Sequence, residues 1–66
     1  MDRIVVEYSL KQKAFHKQTF QEMLDRNLRN VLNGRHTDYL PIAIFDDTEE
    51  ADLFISYTKR TPPFNV

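Results

Sequence analysis

Asp46-Asp47-Thr48-Glu49-Glu50-Ala51-Asp52-Leu53-Phe54-Ile55-Ser56-Tyr57-Thr58-Lys59-Arg60 decides the fold, because it reads two ways. Leu53, Ile55 and Tyr57 alternate with Phe54, Ser56 and Thr58, and a β-rich stretch of this kind would return from the preceding strand as a hairpin. The signals at the two ends point to a helix instead. Asp47 and Glu50 have capping-box spacing, acids fill the first turn, Lys59 and Arg60 fall in the last, and Pro62 follows. These signals favour a helix over residues 48–60, with Ala51, Phe54, Ile55 and Thr58 on one face. A C-terminal hairpin, giving β-α-β-β, is the alternative.

Upstream, Tyr39–Phe45 is a nearly continuous apolar run, expected as a strand buried on both faces, with Leu40, Ile42 and Ile44 on one side. Pro41 cannot donate to a ladder, so it belongs at the start of pairing or on an open edge. Thr19-Phe20-Gln21-Glu22 is a capping box that opens a helix over residues 20–33. Phe20, Met23, Leu24, Asn27, Leu28, Val31 and Leu32 recur at spacings of three and four, and Asn33-Gly34 supplies a left-handed stop. Arg26, Arg29 and Asn30 lie off this stripe and are expected to face water. Arg3–Leu10 alternates as a half-buried strand, with Ile4, Val6, Tyr8 and Leu10 on one face and Val5, Glu7 and Ser9 on the other. Ala14–Gln18 reads equally as a second short strand or as part of a helix capped by Ser9 and Gln12, since the link between lacks Gly, Asn or Asp.

The expectation is a small two-layer α+β domain over residues 1–61, two or three strands carrying both helices on one face, with residues 62–66 as a short tail. A chain of 66 residues has a thin core. It holds no cysteine, so disulfides and thiolate zinc sites are excluded. No apolar run reaches the length of a signal-peptide core or a membrane span, which makes the cytoplasm the expected compartment. Short sheets leave open edges and small cores need support, so association is expected, as a homodimer or with another protein.

Net charge is −1 and unevenly spread. Residues 1–37 hold seven bases and four acids, a net +3, whereas residues 38–58 hold six acids and no base, a net −6. The acidic stretch fails as a calcium loop, having no central Gly and Tyr57 in place of the terminal Glu. Asp46 and Asp47 are adjacent, where an aspartyl-phosphate site separates its two acids by one residue, and further acids and a Lys would be needed. His16 and His36 stand twenty residues apart with no ligand spacing, and neither pairs with Ser9 or Ser56 as nucleophile. Gly34 is the single glycine, so no phosphate-cradling loop exists.

The resulting expectation is a non-enzymatic protein–protein interaction module without cofactor or metal, an inhibitor or adaptor of the phage or mobile-element accessory kind. Asp46, Asp47, Glu49, Glu50 and Asp52 would face a basic partner. The alternative is a small nucleic-acid-binding regulator using Lys11, Lys13, Lys17, Arg26 and Arg29, which the acidic half of the chain disfavours. Phe64 is expected to fold back over the core, with insertion of Phe64 or Val66 into a partner's groove as the other reading.

Overall fold

A computed structural model describes residues 2–64. Three strands, β1 (Ile4–Ser9), β2 (Ala14–Thr19) and β3 (Tyr39–Phe45), form an antiparallel sheet in the order β2-β1-β3. Helix α1 (Phe20–Leu32) follows β2 directly, and α2 (Thr48–Thr58) follows β3. The α+β class and both helices are as the sequence indicated, and the hairpin alternative for residues 48–60 is absent.

The local chemistry explains each element. Thr19 Oγ1 accepts from Glu22 N at 3.1 Å while the Glu22 carboxylate accepts from Thr19 N at 3.0 Å, closing the capping box. Gly34, with φ +66°, ends α1 as a left-handed cap, its N–H bonded to Val31 O and that of Arg35 to Asn30 O. Asp47 Oδ1 accepts from Glu50 N at 2.8 Å at the start of α2. At its end, Arg60 donates to the Ser56 carbonyl at 3.0 Å.

Ala14–Thr19 is a strand, and the Ser9–Gln12 pair explains the ambiguity. Ser9 Oγ does accept from Gln12 N, at 3.0 Å, but the bond closes a four-residue hairpin turn rather than a helix. Lys13 N donates to Ser9 O at 2.8 Å, and Lys13 takes φ +54°, the conformation usually given to Gly or Asn.

Two strand expectations are corrected. β1 is the central strand and is covered on both sides, so Val5, Val6, Glu7, Tyr8 and Ser9 are all buried. β3 is an edge strand and not a buried one, with Leu40, Ile42 and Ile44 all exposed. Its alternation also breaks: Val6 pairs with Ala43 and Glu7 with Pro41, leaving Ile42 as an extra, bulged residue. Pro41 thus sits on an edge strand at an irregularity, where its missing N–H is tolerated. Across the bulge, Leu40 shares the face of Ala43 and Phe45, while Tyr39 and Pro41 share that of Ile44.

Contrary to the expectation that both helices share one face, each covers its own side of the sheet. Residues paired across an antiparallel ladder point the same way, so Val5, Glu7, His16 and Gln18 form one face and Val6, Tyr8, Phe15 and Lys17 the other. Arg26 of α1 meets Glu7 on the first, whereas Asp52 of α2 meets Lys17 on the second. The α2 side is the apolar one. Ala51 is wholly buried and lets α2 lie close to the sheet, Phe54 stacks on Phe45 with ring centroids 5.3 Å apart, and Ile55 and Thr58 are half-buried beside them. Phe64 returns over this face, 4.7 Å from Tyr8 and 5.3 Å from Phe15, and so forms part of the packing, while Pro62 and Pro63 stay exposed. Val66 lies outside the described residues.

Lys13→Gly should raise stability by about 0.5–1 kcal/mol, read as a higher urea midpoint at unchanged slope, because glycine takes positive φ without a Cβ clash. The hydrogen bonds from Thr19 hold the Glu22 carboxyl below the ordinary carboxylate range. Its stabilising contribution is therefore present near neutral pH and lost as pH falls through that lowered value. Glu22→Gln should melt below wild type near neutral pH and match it once the acid form predominates.

Candidate protein interface

Glu7 is the most deeply buried ionisable side chain, at 1% exposure, and it lies mid-strand in the centre of the sheet. A carboxylate removed from water needs a cation and hydrogen bonds. Arg26 supplies both as a two-pronged pair, Nη2 to Oε2 at 2.6 Å and Nη1 to Oε1 at 3.2 Å, and Gln18 Nε2 adds a third donor at 2.6 Å. The Arg26 guanidinium also lies 5.6 Å from the Tyr39 ring centre, and the Tyr39 hydroxyl donates to Gln12 at 3.2 Å. Arg26 therefore faces the sheet, not water as its place off the apolar stripe suggested, and half-buried Asn30 follows it. Arg29 stays exposed, as expected.

This pairing fixes the rotation of α1. With Arg26 on Glu7, the helix presents Met23, Arg26, Asn27 and Asn30 to the sheet, and Met23 is its one buried side chain. Apart from Met23 and Asn27, the stripe is turned aside from the sheet. Exposure rises along it from 42% at Phe20 and 43% at Leu24 to 59% at Leu28, 73% at Val31 and 75% at Leu32. At the end where the strip is half-covered, it adjoins an almost wholly apolar groove between α1 and β3, about 320 Å³ in volume and lined by Val5, Phe20, Met23, Pro41, Ala43 and Ile44. Sequence periodicity found these helix residues but assigned them to the core. The overlooked signal was Glu7 itself, an acid amid apolar strand residues that calls for a base on whatever helix covers it.

The acidic segment is placed differently from a single open patch. Asp46 pairs with Arg3 at 3.5 Å, Asp47 caps α2, and Asp52 pairs with Lys17. Glu49 and Glu50 stand exposed on the first turn of α2. Repulsion from Asp47, with smaller contributions from burial and Asp46, raises the Glu50 pKa above its ordinary value.

The five bases of the nucleic-acid alternative are dispersed. Lys11 and Lys13 occupy the hairpin turn, Lys17 and Arg26 lie on opposite sheet faces in ion pairs, and Arg29 is exposed on α1. His16 stacks 5.2 Å from Tyr39, and His36 is exposed beyond α1. Among the described residues, no three His, Asp or Glu side chains converge on a metal-sized site, and no helix is long and apolar enough to cross a membrane.

Arg26→Met should lower stability by about 3 kcal/mol, because it strands the Glu7 charge in the sheet. Glu7→Gln should cost less, since the amide keeps hydrogen bonds with both neighbours. Urea titration followed by circular dichroism would rank the two, and equal losses would contradict the pairing described.

No family model, curated protein or solved structure matches this chain.

Proposed function

We propose that this chain is a small protein–protein interaction module, an inhibitor or adaptor that works by covering a surface of another polypeptide. The observation that carries the reading is the outward apolar stripe of α1. A lone domain ordinarily turns such a stripe onto its own sheet, and a continuous exposed one marks a contact site. The radius of gyration supports it: 12.5 Å against roughly 11 Å for a compact chain of this length. The docking surface in this reading is Leu24, Leu28, Val31 and Leu32, continued by the α1–β3 groove. Glu49 and Glu50 remain exposed to attract basic groups, but three of the five acids of their segment are held within the molecule.

A photo-crosslinking amino acid at position 28, compared with one at Leu53 on the outer side of α2, tests this in cells. Both sites are exposed, at 59% and 72%. Protein adducts at 28 and not at 53 are expected. Equal labelling at the two positions, or none at 28, would reject the stripe as a docking surface.

A further inference from the structure

We infer that the occupant of the α1 stripe is a second copy of this chain, bound with the two α1 helices antiparallel. The inference rests on the interaction-module reading above and names its partner.

Surface area is the first ground. The chain exposes 5101 Å², whereas a monomer of its mass typically exposes roughly 4,400 Å². The excess, about 700 Å², belongs to the molecule as a whole, and the exposed Leu24, Leu28, Val31 and Leu32 of α1 contribute to it.

Charge along α1 is the second ground. Acids occupy its first half, Glu22 and Asp25, while exposed bases follow at Arg29 and, just past the cap, Arg35. A parallel pair would set like charges side by side. An antiparallel pair brings the acidic half of each helix against the basic half of the other and also opposes the two helix dipoles.

Register is the third. Asp25, Leu28 and Arg29 line one surface depression, so this acid and base flank the stripe on the same side. A two-fold axis perpendicular to both helices brings the matching flanks together. If Asp25 of each copy is level with Arg29 of the other, Leu28 of the second copy falls midway between Leu24 and Leu28 of the first. Its Leu24 then falls between Leu28 and Val31. At 1.5 Å rise per residue the leucines interleave, as packed helices require. The same axis generates two equivalent Asp25–Arg29 ion pairs.

Sedimentation equilibrium on the purified full chain, with three variants, tests the arrangement. Wild type is expected to shift with concentration from 7.9 kDa toward twice that mass. Leu28→Glu should raise the dimer dissociation constant at least about 30-fold while circular dichroism stays that of the folded chain. Asp25→Arg, which sets arginine against Arg29 of the other copy, should weaken the dimer about tenfold, and adding Arg29→Asp should restore most of the loss. A wild-type monomer at millimolar concentration, or a dimer indifferent to Leu28→Glu, overturns the inference. Failure of the charge swap to recover affinity overturns the antiparallel register. A monomer that still crosslinks through position 28 to a different protein rejects the second copy and leaves the interaction module standing.

Discussion

The Glu7–Arg26 ion pair is the constraint from which the rest of the molecule follows. Glu7 sits in the central strand with 1% of its side chain exposed, and three hydrogen bonds from Arg26 and Gln18 make that burial tolerable. A buried pair of this kind contributes little net stability compared with an apolar core of the same shape. What it contributes is direction, because the helix has one rotation that places Arg26 over Glu7. The surroundings are not arranged for stability either, since Arg26 Nε and Asn27 Oδ1 are buried with no partner among the described residues.

The two faces of the sheet consequently divide the work of folding. On the α2 side, Val6, Tyr8, Phe15, Phe45, Phe54, Ala51 and Phe64 pack as an ordinary small core, ring against ring. On the α1 side, Met23 is the one buried apolar residue of the helix, the Glu7–Arg26–Gln18 group lies beside it, and Leu24, Leu28, Val31 and Leu32 are left outside. A domain this size has little hydrophobic surface to spare. Leaving Leu28, Val31 and Leu32 in water is intelligible where something else covers them.

Much of the secondary structure was legible because its signals are local. The Thr19–Glu22 box, the Asp47 cap, the Gly34 stop and the apolar run of β3 each depend on residues within one turn or one strand. Four things were not legible. Periodicity shows which side chains share a face of α1, but it does not say which way that face points, and that was settled by Glu7, nineteen residues before Arg26. The bulge at Ile42 shifts strand parity through a backbone irregularity that no side-chain pattern reports. The hairpin at Lys13 was obscured because a lysine occupies a position where glycine or asparagine would have announced the turn. The acids at 46, 47, 49, 50 and 52 looked like one patch because they are neighbours in sequence, whereas the fold spends three of them on Arg3, Lys17 and a helix end.

The polar layer between α1 and the sheet also bears on how such a chain can change over generations. Uncharged, apolar residues at both 7 and 26 would remove the ion pair that holds the helix in its present orientation. It could then roll about its axis until Leu24 and Leu28 met the sheet, a rearrangement that volume-conserving repacking of the core accommodates. The outcome would be a sturdier domain with less apolar surface in water. The outward setting of Leu24, Leu28, Val31 and Leu32 is thus kept by two opposite charges that lie on the sheet side of the same helix.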